Sequence, residues 1–298
     1  MAKYLGKDAC ICRDSGSWAD PAHIPLISAK DISISYKPSA TFDSTDRVSA
    51  ATVITGSVIP TRHSVTATFA AIWNAGAGLT ALRTAFLAGT PIRLAALNQL
   101  PTASGIGLRG DWLVKKFPLK FPLLDGQMVD IELVPHGNYT NAVVPYTDET
   151  SVLGTAESQV ARKLGKNGSC NNNVNTPITA IRDFSFSAEW ELAKADDRGS
   201  DFELFLPTKR KITAELEFMW DEADAKLVAF RTAWDAGAAI GLSMLDGVYA
   251  TGGSWGIVAD WAITDHPSAN SLNDGQSYKI KLEPHGNGAT AFSFLTTS

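Results

Sequence analysis

The chain switches between two hydrophobic periods, and it makes the same switch twice. Phe184-Ser185-Phe186-Ser187-Ala188-Glu189-Trp190-Glu191-Leu192 sets apolar and polar residues by turns, the pattern of a strand with one buried face. Phe202 to Leu206 and Ile212 to Trp220 alternate in the same way. Then Ala223, Leu227, Phe230 and Trp234 fall at i, i+4, i+7 and i+11, one face of a helix. Asp221 stands where an N-cap is expected, with Glu222 and Asp224 beside the positive end of the dipole. Gly237 suits a left-handed helix stop. Ala239 to Leu245 and Gly256 to Asp265 predict strands, and the Asp274-Gly275 turn introduces a last one, Gln276 to Glu283. The first half follows the same plan. It predicts strands over Asp31 to Tyr36, Val65 to Trp73, Ile92 to Leu97, Gly107 to Val114 and Gln127 to Val134, and a helix from Thr80 to Ala88 ending at Gly89. Phe86 and Trp234 share the apolar face of their helices, so both are expected against a sheet.

The halves correspond residue by residue. Arg83-Thr84-Ala85-Phe86-Leu87-Ala88-Gly89-Thr90-Pro91-Ile92-Arg93-Leu94 returns as Arg231-Thr232-Ala233-Trp234-Asp235-Ala236-Gly237-Ala238-Ala239-Ile240-Gly241-Leu242, with seven of twelve positions identical. Asp111 to Asn138 pairs with Asp260 to Asn287, with thirteen identities in 28 positions. They include both Asp-Trp pairs, both Asp-Gly-Gln turns and both Pro-His-Gly-Asn endings. Lys30 to Ser35 matches Arg182 to Ser187, Pro60-Thr61-Arg62 matches Pro207-Thr208-Lys209, and Leu5-Gly6-Lys7 echoes Leu164-Gly165-Lys166. The order is collinear throughout. It predicts a mainly β chain of two tandem sandwich or partial-barrel domains with one helix each. Residues 1–140 form the first, 162–298 the second, and 141–161 a linker. The joint from Tyr139 to Arg162 is rich in Thr, Ser, Ala and Val, which suits a spacer. The length of 298 residues is also that of two ordinary domains.

Composition narrows the function classes. Hydrophobic residues at 45% and charged residues at 19% belong to a chain that buries a core. Lys plus Arg is 26 against 31 Asp plus Glu, a net charge of −5, which argues against a phosphate-gripping nucleic-acid binder. Residues 1–153 hold 13 basic and 12 acidic side chains, or +1; the remainder hold 13 and 19, or −6. Cys10, Cys12 and Cys170 cannot build a disulfide framework, and Cys10–Cys12 is no zinc spacing, so a reducing compartment is expected. Met1 to Asp8 contains no apolar core of signal-peptide length. Ser64 to Leu82 is uncharged over 19 residues, but its hydroxyls, Asn74, Gly76 and Gly78 make a poor span, and its counterpart in the other half is highly charged.

No catalytic, cofactor-binding or metal-binding residue stands out. His136 and His285 lack ligands at metal spacing, and turn chemistry accounts for the Pro-His-Gly-Asn endings. His23, His63 and His266 have no counterparts, and no Ser-His-Asp or Cys-His order emerges. Trp112 and Trp261 are expected in the core, with Asp111 and Asp260 on the opposite strand face. Asp196-Asp197-Arg198-Gly199-Ser200-Asp201 lacks the closing glutamate of a calcium loop. Lys209-Arg210-Lys211 has no interleaved aromatics and suits a solvated strand edge.

A helix running Arg-Thr-Ala-aromatic-x-Ala-Gly into an Ile-x-Leu strand, then an Asp-Gly-Gln turn and a final Ile-x-Leu-x-Pro-His-Gly strand, resembles the tail tube proteins of long-tailed phages. The resemblance covers each half almost end to end. It implies a structural virion protein without enzymatic activity or cofactor. Its subunits would close into rings around an inner β-barrel and stack into the conduit for DNA ejection. The duplication implies three chains in place of six single domains. Implied partners are further copies, the tape measure, terminator and baseplate proteins, and genomic DNA passing without specific binding. No membrane partner is implied, and assembly would take place in the host cytoplasm. The long segment Tyr36 to Ile59 corresponds to the loop that touches the adjoining ring in that family. Two other classes stay open: a tandem carbohydrate-binding or adhesin module using the Asp-Trp pairs, and a β-rich hydrolase.

Overall fold

The computed structural model describes residues 9–14, 18–19, 22–26, 29–43, 58–74, 76–99, 105–148, 152–153, 163–172, 176–195, 200–219, 224–249, 252–265, 277–286, 290 and 292–296. The first-half strands are β1 (Cys10–Asp14), β2 (Ala22–Pro25), β3 (Ala29–Asp43), β4 (Val58–Ile72), β5 (Ile92–Leu97), β6 (Gly105–Lys116), β7 (Leu119–Phe121), β8 (Met128–Pro135), β9 (Val144–Asp148) and β10 (Val152–Leu153). Helix α1 (Ala77–Ala88) lies between β4 and β5. After a 3-10 turn at Gly165–Asn167 come β11 (Ser169–Asn172), β12 (Ile181–Ala195), β13 (Leu204–Met219), α2 (Ala225–Ala236), β14 (Ile240–Leu245), β15 (Trp255–Asp265), β16 (Ser277–Pro284) and β17 (Ser293–Thr296). The protein is mainly β, and all these strands belong to one sheet.

Pairing registers recur at the sequence offset. Ile92 faces Trp112 as Ile240 faces Trp261, and Ala67 faces Leu133 as Ala214 faces Leu282. Gly107 and Gly256 hold matching places where a Cβ would strike the carbonyl of Ala96 or Met244 in the neighbouring strand. Both helices stop on a left-handed glycine, Gly89 at φ 63° and Gly237 at φ 60°.

Several expectations change. Helix α2 starts at Ala225, and its N-cap is Asp224, whose carboxylate accepts from the Lys226 amide; Asp221, Glu222 and Ala223 lie outside the described residues. Phe202 to Leu206 and Ile212 to Trp220 are not separate strands, because β13 runs through Pro207, with the register shift beside it between Glu191 and Leu192. The joint expected to be a spacer carries β9, paired to β6, and β10, paired in parallel to β2. The segment joins the sheet because the longer β6 and the edge of β2 lie beside it and take up its backbone hydrogen bonds. The β3–β4 hairpin continues to Asp43 and Val58, so Pro38 to Asp43 is strand rather than loop. The 19-residue uncharged stretch is divided between β4 and α1, and no described helix is long and apolar enough to cross a membrane. Leu5 to Lys7, residues 44–57 and the Asp274-Gly275 turn lie outside the described residues.

One buried cluster runs through both halves, from Ile11, Phe69 and Trp112 to Phe186, Leu216 and Trp261. The halves therefore share a core. Phe86 is at its centre with 1% exposure. Trp234 is not: it is 40% exposed, because the helix face alone does not supply the cover that Phe86 receives from Phe117 and Trp190.

Candidate assembly surface

The two repeated motifs are structural clasps. Trp112 and Trp261 are wholly buried, and their indoles donate to the carbonyls of Leu94 and Leu242 across the hairpins. Asp111 and Asp260, on the opposite strand face, are buried as well. Asp111 accepts from the amides of Thr140 and Asn141, each at 2.8 Å, and Asp260 accepts from that of Thr290 at 2.7 Å. Strand alternation assigns faces; it does not reveal that the chain folds back over one. His136 completes the clasp: Nδ1 accepts from the Asn138 amide, so Nε2 carries the proton it gives to the Gly89 carbonyl at 3.1 Å. Burial pushes the His136 imidazole below its ordinary pKa, against the opposing pull of the Gly89 carbonyl and Asp111.

The seam between the halves is built from both repeats. Strand β7 joins β8 on one side and β12 on the other, with Phe121 opposite Phe184 and their rings stacked at 4.3 Å. Trp190 donates from Nε1 to the Phe86 carbonyl at 2.9 Å. His63 exchanges backbone bonds with Asp201 and Glu203, and its ring stacks on Tyr36. Beneath lies Asp246, 2% exposed, which accepts from the Trp73 indole and the Lys163 ammonium at 2.7 Å and from the Trp255 amide at 2.6 Å. Arg83 stacks over Trp73 and Trp255, and burial lowers its pKa against the attraction of Asp246. No sequence motif announced Asp246; only its fold-back neighbours reveal it.

From β3 through β4, β8, β7, β12 and β13 to β16 the sheet is continuous. Its inner face holds Phe69, Ile131, Phe186, Leu216 and Ile280. Its outer face holds Thr68, Lys120, Asp130, Glu132, Ser185, Glu215, Glu217 and Lys279, all at least partly exposed. Three lysines there are paired with carboxylates: Lys120 with Asp130 at 2.6 Å, Lys115 with Glu132 at 2.7 Å and Lys279 with Glu215 at 2.9 Å. Burial alone would lower the Lys115 pKa, but Glu132 and Glu189 outweigh it and hold the ammonium above its ordinary value. The Glu215 hydrogen bond does the same for Lys279.

Other candidates resolve locally. Lys209, Arg210 and Lys211 lie inside β13 opposite Glu191, Trp190 and Glu189, and Arg210 covers the Trp190 and Phe294 rings. His23 is buried against Tyr146. The three cysteines are buried and form no disulfide, and burial pushes the Cys170 thiol up to about 12. A hollow of about 290 Å³ beside the seam is lined by Lys120, Phe121, Met128, Asp183, Phe184 and Lys279. Among the described residues no three His, Cys, Asp or Glu side chains converge as a metal site. Residues 196–199 and His266 lie outside the described residues.

No sequence-family model matches the chain, and no curated protein matches it in sequence. Among solved structures, a chain in the virion of a native gene transfer agent particle is similar at 19% identity and a TM-score of 0.35, over 44% of this chain and 98% of that one. A chain in the tail of an empty gene transfer agent particle with C6 symmetry is similar at 17% identity and a TM-score of 0.36, with the same shares covered. Both scores lie below the level at which a shared fold is inferred.

Proposed function

We propose that the chain is the major subunit of a phage-type tail tube, in which three copies close a ring of six repeats and rings stack into a DNA conduit. The observation that carries this reading is the sheet continuous across the two halves. Whatever rotation relates the first repeat to the second leaves β3 at one end of that sheet and β16 at the other. Applying the same relation again places the next chain beside them, and closure removes both edges. The repeats are then domains in the sense of ring positions, 1–140 and 162–298, with the covalent joint fixing one contact in two.

The polar outer face suits the wall of such a conduit. Lys115, Lys120 and Lys279 are held by carboxylates, so each has less free charge to give a phosphate, which lowers the salt-dependent grip that passing DNA meets. The tape measure, terminator and baseplate partners, and a place in the virion, follow from this reading. The glycan-module alternative loses its contact residues, since Trp112 and Trp261 are inaccessible.

Analytical ultracentrifugation with negative-stain microscopy of the purified chain tests the proposal. The expected result is rings of three chains with sixfold appearance, some of them stacked. A chain that stays monomeric under all assembly conditions, or rings of six chains, would overturn it.

A further inference from the structure

The seam inside the chain consists of a socket and a plug. The socket is the C-terminal end of α1, where Phe86 offers its carbonyl to Trp190 and Gly89 turns left-handed. The plug is the β12–β13 hairpin. Its Pro207 Cβ lies 3.6 Å, and Trp190 Cζ2 3.3 Å, from where a Gly89 Cβ would stand. The duplication supplies a second set of both parts. The second socket is the end of α2, with Trp234 in the place of Phe86 and Gly237 in that of Gly89. No described atom comes within 4 Å of a Gly237 Cβ, and Trp234 is 40% exposed where Phe86 is 1%. The second plug is the β3–β4 hairpin, where Pro60 aligns with Pro207 and Pro38 with Trp190. Tyr36, Lys37 and Pro38 are exposed.

We propose that the α2 socket receives the β3–β4 plug of another copy of this chain, in the geometry of the internal seam. The proposal rests on the ring reading and adds the residues that join one chain to the next. The internal seam is the template: one plug already sits on one socket within the chain, so the remaining pair repeats a head-to-tail contact between chains. Side-chain bulk is exchanged rather than lost. In the occupied pair the plug brings Trp190 and the socket Phe86; in the other the socket brings Trp234 and the plug Pro38, so each pairing holds one indole against a smaller apolar ring. Charge agrees as well. The plug comes from the half at +1 and carries Lys37, and the socket comes from the half at −6 and carries exposed Asp235, 3.9 Å from Arg231 on the same helix.

Paired cysteines test the contact, because a Cβ separation near 3.6 Å lies within disulfide range. Gly89→Cys with Pro207→Cys is the control and should close within one chain. Gly237→Cys with Pro60→Cys should instead give a covalent three-chain band on a non-reducing gel of assembled protein. Rings in the microscope with no covalent link between chains would overturn the contact and leave the tube reading standing. A link closed within a single chain would overturn it too, by showing that the chain covers its own socket. An open ladder running past three chains would support the contact and sink the three-chain ring. As a second variant, Trp234→Glu should abolish rings while lowering the thermal midpoint of the unassembled chain far less than Phe86→Ala does; rings that persist would count against the proposal.

Discussion

Phe86 and Trp234 occupy one position in two copies of a motif, and the copies have come apart in what surrounds them. Both helices turn the same face inward: Leu79, Leu82 and Ala85 in α1, Leu227, Phe230 and Ala233 in α2. Both end on a left-handed glycine. Beyond that shared face the environments diverge, because α1 lies under the β12–β13 hairpin and α2 lies under no described counterpart. Helix periodicity thus fixes which side chains point at their own sheet. The next residue around the helix is decided by a neighbour elsewhere in the chain or outside it.

The sharpest way to break this comparison is truncation at the paired positions. Phe86→Ala should destabilise the unassembled chain by about 3–5 kcal/mol in chemical denaturation, the usual cost of emptying an aromatic site in a core. Trp234→Ala should cost no more than about 1 kcal/mol, as at partly solvated positions. Equal costs would mean that the exposure of α2 is not a property of the folded chain. A smaller effect isolates the plug. Trp190→Phe keeps most of the ring but leaves the Phe86 carbonyl without its indole donor, and a loss of about 1 kcal/mol is expected. No loss would reduce Trp190 to a packing role.

The smallest effect is a pH dependence at the α1 end. His136 is held neutral in the fold, with its imidazole pKa below the ordinary value through burial. The unfolded chain therefore takes up more protons as pH falls below about 6.5, and the stability from the neutral clasp is lost as pH drops towards the lowered folded pKa. Protonating Nδ1 would also set a proton against the Asn138 amide. Thermal midpoints measured between pH 7.5 and 5.5 should fall less for His136→Gln than for the unaltered chain. Parallel curves would remove His136 from the acid response.

Much of the fold was legible from local pattern. The limits of β5 at Ile92 and Leu97, both helix stops, and the burial of Trp112 and Trp261 follow from alternation, glycine chemistry and aromatic size. What escaped is non-local. Strands β7, β9 and β17 are only three to five residues long, too short for alternation to distinguish, and they exist because a longer strand lies beside them. Alternation places Asp111 on the face opposite Trp112, but does not show that Thr140 and Asn141 return across that face. Of the candidate surface, the repeat marks the two matching helix ends, but nothing in one copy tells which of them the β12–β13 hairpin covers.

Asp246 has a consequence for inheritance. Its carboxylate is shared by Trp73 of the first repeat and by Lys163 and Trp255 of the second, while its carbonyl accepts from Gln127. The equivalent residue of the first repeat is Asn98, whose side chain accepts from the Ile106 amide of its own hairpin. A gene for either repeat alone would thus encode half of a buried ionic junction, with Asp246 lacking its indole or Trp73 lacking its acceptor. The two repeats are matched to each other at this junction, and neither fits it alone.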